Sequence, residues 1–141
     1  MSYSLLLLFY LCSCVDTLNV SAGEVSRHQA PPQGDAFQRG LTALKEKRFE
    51  DALLEFTAAE HEEPKNASIR NFRAILLAQM GKNSEATAEY QEAIRLDPLL
   101  EDAYRNLGFL RWTEHQLALA REALQRAVTL SPEDSFAHYY L

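Results

Sequence analysis

Histidines and clustered carboxylates are the side chains of this chain that would support acid–base or metal chemistry. The chain has four histidines, at positions His28, His61, His115 and His138. General acid–base catalysis and metal binding both need such groups to converge with carboxylates or a nucleophile. His61 is followed by Glu62 and Glu63, but no second histidine lies nearby in the sequence, so we interpret the cluster as the solvated end of a helix. We therefore predict no enzyme activity, no metal site and no cofactor.

The two cysteines lie in an apolar leader. Cys12 and Cys14 fall within residues 1–22, where the run from Leu5 to Leu11 is continuously apolar. This run is shorter than the roughly 20 residues that a membrane-spanning helix needs, and it fits the core of a signal peptide. We expect a signal peptide or a lipoprotein-type leader, with Cys14 as the candidate lipidation site. The alternative is a mis-assigned start, or an apolar helix that packs on the folded domain.

The leader also sets the expected localisation. A signal peptide predicts export to the periplasm or the extracellular space, or a lipid-anchored protein, whereas a mis-assigned start predicts a cytoplasmic one. Residues 23–34 contain a proline pair and no apolar periodicity, which is typical of a flexible linker. Residues 35–141 remain, a length that suits one folding unit.

Charge in the body of the chain is mixed. The formal net charge is −6, and acidic and basic residues alternate, so no basic stripe is available to neutralise phosphates or an anionic membrane. We therefore expect a protein or peptide partner and no nucleic acid, with membrane contact only through the leader.

The elements that would position a binding site are visible as a repeat with a period of 34 residues. Small residues recur in three columns: Gly40, Ala74 and Gly108; Ala52, Ala86 and Ala120; Ala59, Ala93 and Ala127. A large apolar residue recurs at Phe56, Tyr90 and Leu124, and a proline at Pro64, Pro98 and Pro132. Two helices approach to about 8–10 Å only where the side chains between them are small. The columns therefore predict packed helices, with a proline closing each copy.

A break near the middle of each copy divides it into two antiparallel helices. Gly81 stands at the second break and is the expected left-handed helix end. The predicted helices cover residues 36–45, 49–61, 67–80, 84–96, 102–113 and 117–130, and a seventh begins at about 135.

The third copy resembles the tetratricopeptide-repeat family most closely, through Asn106-Leu107-Gly108, Ala120, Ala127 and Pro132. Arg111 and His115 depart from the family's pattern. The resemblance covers 35–141, with repeats at 35–66, 67–100 and 101–134 and the start of a fourth at 135–141. It implies an all-α fold, a right-handed superhelical solenoid of antiparallel helix pairs.

The resemblance also implies a partner-binding groove, because the first helix of each repeat lines the concave face in this family. The groove positions are Phe37, Leu41 and Leu44 in the first copy, Asn71, Ile75 and Ala78 in the second, and Arg105, Phe109 and Trp112 in the third. We expect a mainly apolar groove, with Asn71 and Arg105 as polar anchors, that binds an extended or helical segment. The first three residues also fit an ordinary buried stripe, so Trp112 is the favoured binding residue.

Chaperone-binding members of the family hold a carboxylate terminus with Lys, Asn and Arg. In this sequence Phe37, Leu41, Phe72 and Asp102 fall on those positions. The resemblance therefore argues against binding of chaperone tails.

Three functional hypotheses follow from the sequence. The first is an exported or membrane-tethered scaffold or adaptor that binds a peptide or partner helix. The second is the amino-terminal repeat portion of a longer protein whose catalytic or sensor domain lies beyond residue 141. The third is self-association through the last helix, by the residues Phe136, Tyr139, Tyr140 and Leu141.

Overall fold

The computed structural model describes residues 34–141, and this part of the chain consists of helices joined by short turns. The leader, with Cys14, and the linker up to residue 33 lie outside the described residues. Seven helices follow one another: α1 (Asp35–Lys45), α2 (Phe49–Glu62), α3 (Ala67–Gln79), α4 (Asn83–Leu96), α5 (Glu101–Thr113), α6 (Leu117–Leu130) and α7 (Ser135–Tyr140). The predicted helices are confirmed, with each predicted boundary within one residue of the observed one. None of these helices has the length and apolar character needed to cross a bilayer.

The turn inside each helix pair has the same backbone geometry in all three copies. Lys47, Gly81 and His115 stand 34 residues apart and have φ angles of 59°, 77° and 59°. After α3, the Lys82 amide donates to the Leu77 carbonyl at 2.9 Å, and the corresponding bonds after α1 and α5 measure 2.8 and 2.9 Å. This is the Schellman arrangement, which ends a helix with one residue in the left-handed region. The predicted left-handed end at Gly81 is confirmed.

We expect opposite effects from substitutions at two of these turns. Gly81→Ala places a side chain in the left-handed region and is expected to lower the free energy of unfolding by about 1 kcal/mol. His115→Gly relieves the same strain and is expected to raise it by up to about 1 kcal/mol. Urea denaturation of both variants measures the difference. A shift of the two midpoints in the same direction would contradict the shared turn geometry.

The turns between successive helix pairs contain the three recurring prolines. The residue directly before α3 is Asn66, the one before α5 is Leu100, and the one before α7 is Asp134. The Asn66 side chain accepts from the Ser68 amide at 3.0 Å, and Asp134 accepts from the Phe136 and Ala137 amides of α7 at 3.0 Å. The Asn66 and Asp134 side chains thus satisfy amides at a helix start that have no partner within the helix.

The small-residue columns lie where helices approach closely. All nine Gly and Ala positions are buried, as are Phe56, Tyr90 and Leu124. A Cβ atom on Gly40 would stand 2.7 Å from the Phe56 ring, and one on Gly108 would stand 2.7 Å from Leu124 Cγ. In the first and third copies the large residue therefore fills the space that the glycine leaves open, as the sequence predicted.

The first helices of successive pairs also touch one another. Phe37 of α1 contacts Phe72 of α3, with ring centroids 5.3 Å apart, and Asn71 of α3 bonds Asn106 of α5. Phe109 of α5 in turn contacts Phe136 of α7 at 5.3 Å. The helices α1, α3, α5 and α7 thus form one layer, whose exposed side we call the inner face.

Candidate functional site

The first-copy residues of the predicted groove belong mainly to the core. Phe37 is 1% exposed and Leu41 is 6% exposed, while Leu44 is half-buried. The Phe37 ring lies 5.7 Å from Phe56 and 5.3 Å from Phe72, between centroids. Phe37 and Leu41 therefore hold α1, α2 and α3 together and leave little surface for a ligand.

The middle of the inner face carries a pair of amides. Asn71 is buried, and its Oδ1 accepts a hydrogen bond from Nδ2 of half-buried Asn106 at 3.2 Å. Beside them Ile75 is buried and Ala78 is half-buried. An amide has one carbonyl and two N–H groups, so this single bond leaves Asn106 able to bond the backbone of a ligand. Sequence reasoning missed Asn106 as a site residue, although it lies three residues before the predicted Phe109, a spacing that makes two side chains neighbours on a helix.

Arg105 is engaged within the chain. Its guanidinium bonds Asp102 on the same helix, and Nη1 lies 3.4 Å from Oδ2 of Asp134. The Arg105 side chain is only 16% exposed, and Asp134 is the residue that caps α7. Arg105 therefore ties α5 to the start of α7, and two carboxylates compensate its charge.

An aromatic cluster covers the end of the inner face. It consists of Phe109 and Trp112 on α5 and of Phe136 and Tyr140 on α7. Trp112 stacks on Phe109 at 6.2 Å with an angle of 11°, and Tyr140 lies edge-on to Trp112 at 4.9 Å. Phe109 is buried, whereas Trp112 and Tyr140 are half-buried. The structure thus adds two α7 residues to the predicted groove, and it leaves part of the indole open to a partner.

The last helix is less exposed than the self-association hypothesis assumed. Phe136 is buried and Tyr140 is half-buried in the aromatic cluster, because both pack on α5. Tyr139, at 81% exposure, and Leu141, at 41%, stay open to solvent. The expectation that all four apolar residues are available to a second copy is therefore wrong.

The histidines of the described part of the chain are all exposed. His61 and His115 lie at helix ends, and His138 contacts the Pro132 carbonyl through Nε2 at 2.9 Å. Within residues 34–141 no group of three or more His, Cys, Asp or Glu side chains is arranged to hold a metal ion.

Comparison with known sequences points to one family. The family profile described as "TPR repeat" matches residues 75–113. The chain is 31% identical over 109 residues to the probable UDP-N-acetylglucosamine–peptide N-acetylglucosaminyltransferase SPINDLY of Arabidopsis thaliana, which is 77% of this chain and 12% of that protein. It is 22% identical over 97 residues to the Hsp70-Hsp90 organizing protein of Triticum aestivum, which is 69% of this chain and 17% of that protein. The chain thus spans less than a fifth of either relative.

Solved structures agree with this assignment. The TPR2B domain of yeast Sti1, solved as a complex with pHsp70, superposes with a TM-score of 0.69 at 26% identity, over 75% of this chain and 87% of that one. The second TPR domain of human RPAP3, solved with the HSP70 peptide SGPTIEEVD, superposes with a TM-score of 0.70 at 25% identity, over 75% of this chain and 88% of that one. The described helices are therefore a solenoid of paired helices of the same kind.

Proposed function

Since this chain belongs to the tetratricopeptide-repeat family, we propose that it is an interaction scaffold that binds a peptide or partner helix along its inner face. Two similar domains are solved with chaperone segments, which supports peptide binding as the general function. The observation that carries the proposal is the half-buried Trp112 in its aromatic cluster, on the same helix as Asn106 of the Asn71–Asn106 amide pair.

The chemistry of this surface indicates an apolar ligand. Trp112 and Tyr140 offer aromatic area, and aromatic residues are frequent binding hot spots. Asn106 is placed to bond the backbone of the same ligand. Arg105 offers no free charge, because Asp102 and Asp134 already bind it. We therefore expect a segment with hydrophobic side chains and no requirement for an acidic end.

Removal of Trp112 is expected to weaken this binding strongly. Linear 12-residue peptides selected by phage display on the 141-residue chain provide the ligands, and fluorescence anisotropy provides the Kd. We expect Trp112→Ala to raise the Kd of peptides rich in apolar residues by about 30-fold, since a hot-spot residue contributes about 2 kcal/mol.

Tyr139→Ala is the matched control, because it removes an aromatic ring that is 81% exposed on the neighbouring helix. Its Kd is expected to stay within about twofold of the unaltered chain. Circular dichroism establishes that both variants keep their helices. Equal affinities for the unaltered chain and Trp112→Ala would overturn the assignment of the inner face.

We also infer that the ligand differs from the acidic chaperone peptides. The charged end of an acidic peptide is bound most strongly by free cations in the groove. At the family's clamp positions, however, Phe37 and Leu41 are buried, and Phe72 stacks on Phe56 at 5.9 Å. Asp102 brings a negative charge at the fourth position. An acidic peptide would therefore meet aromatic rings and a carboxylate.

Two further parts of the proposal concern the whole protein. We propose export or membrane tethering on the basis of the apolar leader and its Cys14, which lie outside the described residues. The second candidate function, the repeat portion of a longer protein with a catalytic or sensor domain beyond residue 141, is supported by the much greater length of the two relatives. Self-association stays a prediction, now limited to Tyr139 and Leu141.

A further inference from the structure

A second surface with binding character lies on the side of α5 opposite the inner face. A cleft of about 490 Å³ opens between α4, α5 and α6, and we call it the outer cleft. Tyr104, Leu107 and Arg111 of α5 line it, and in a helix these positions point away from Arg105, Phe109 and Trp112. A partner in the outer cleft would therefore leave the inner face free.

The wall of the outer cleft combines apolar area with exposed leucine. Ile94 of α4 and Leu107 of α5 are largely buried at the cleft, while Leu119 of α6 is 49% exposed at its rim. The volume lies in the range of ligand-binding pockets, and Leu119 extends its apolar surface towards solvent.

One cation in the cleft is available to a partner. The Arg126 guanidinium lies 6.0 Å from the centre of the Tyr104 ring, and no carboxylate of the described residues lies within ion-pair distance of it. Glu122, four residues earlier on α6, also lines the cleft, and it does not pair with Arg126 even though the spacing would allow it. At the other end of the cleft, Arg111 is compensated by Glu114 at 3.8 Å and by Gln116.

We propose that the outer cleft binds an amphipathic segment of a partner protein that carries an acidic residue for Arg126, separately from any ligand of the inner face. Its apolar side chains would fill the space between Leu119 and Tyr104, and an Asp or Glu would pair with Arg126. A carboxylate that pairs with Arg126 gains a charge interaction, and the Tyr104 ring holds the guanidinium in position for it. Seven residues separate Leu119 from Arg126, about 10 Å along a helix, so a ligand helix of two to three turns matches the cleft.

The test uses peptides from a 12-residue phage-display library selected on the 141-residue chain, with Kd values measured for single variants. We expect a class of peptides with spaced apolar residues and an Asp or Glu. Arg126→Glu is expected to raise the Kd of this class by about tenfold, and a peptide with that acidic residue changed to Lys is expected to recover binding to the variant. Trp112→Ala is expected to leave the class unaffected.

Arg121→Glu is the matched control, because Arg121 is an exposed arginine of the same helix outside the cleft. It makes the same charge change and is expected to leave the Kd within about twofold of the value for the unaltered chain. If Arg126→Glu alters the circular dichroism spectrum, Arg126→Gln replaces it in the test, because it removes the positive charge without reversing it. The proposal is overturned if no selected peptide depends on Arg126, if Arg121→Glu weakens binding equally, or if the charge-swapped peptide does not recover. Loss of binding on Trp112→Ala alone would support the inner face and reject the outer cleft.

Discussion

Phe56→Ala is expected to lower the free energy of unfolding by about 3–5 kcal/mol, the range for removal of a fully buried aromatic side chain. Phe56 is 0% exposed, and its ring lies 5.7 Å from Phe37 and 5.9 Å from Phe72. It also fills the space opposite Gly40. The substitution therefore opens a cavity where α1, α2 and α3 meet, and a small domain has only about 5–15 kcal/mol of total stability. Urea denaturation followed by circular dichroism measures the loss.

Leu54→Ala is the control for this prediction, because Leu54 lies on the same helix two residues earlier and is 71% exposed. Its removal is expected to change the free energy of unfolding by less than about 0.5 kcal/mol. Similar losses for the two variants would show that Phe56 does not have the core position described above.

Glu89→Ala is expected to cost about 2–3 kcal/mol, because it opens a partly buried ring of four charges. Arg70 and Arg73 of α3 each bond both Glu60 of α2 and Glu89 of α4. The Arg70–Glu89 contact measures 3.1 Å, and the four side chains are only 16–23% exposed. Loss of Glu89 leaves two arginines with one carboxylate, and breaking a buried pair in this way costs up to about 3–5 kcal/mol. Partial exposure places the expected cost below that limit.

Glu85→Ala provides the comparison on the same helix. Glu85 forms an exposed pair with Lys82 at 3.9 Å, and such pairs contribute about 0–1 kcal/mol. Urea denaturation in 0.1 M and 1 M NaCl should show that the Glu89→Ala loss persists at high salt, because buried charges are poorly screened. A loss as small as that of Glu85→Ala would mean that the four-charge ring contributes little to stability.

The helix pairs could be predicted because they depend on local and periodic features. The small side chain of Ala86 and the large one of Tyr90 indicate how closely the helices pack, and Pro98 indicates where a helix pair ends. All three recur in the sequence at the 34-residue spacing. The left-handed turns were recognisable only at Gly81. Lys47 and His115 adopt the same geometry because the packed helices on either side impose it, and their residue types give no signal.

The site was harder to predict, because its contacts join residues far apart in the chain. Arg105 was expected to be a polar anchor, but Asp134, 29 residues later, binds it. The role of Tyr140 depends on how α7 packs on α5, which no periodic column reveals. A family resemblance identifies the residues that line a face. It does not show which of these side chains are already buried or paired within the fold.

Emission of Trp112 offers the most direct test of binding at the inner face, because the chain has a single tryptophan and it stands in the aromatic cluster. The chain is titrated with a display-selected apolar peptide and, separately, with SGPTIEEVD, the HSP70 peptide of the similar RPAP3 domain. We expect a saturable shift of the emission to shorter wavelength with the apolar peptide and no change with SGPTIEEVD. Binding of the apolar peptide without a change in emission, or saturable binding of SGPTIEEVD, would contradict an apolar inner-face site.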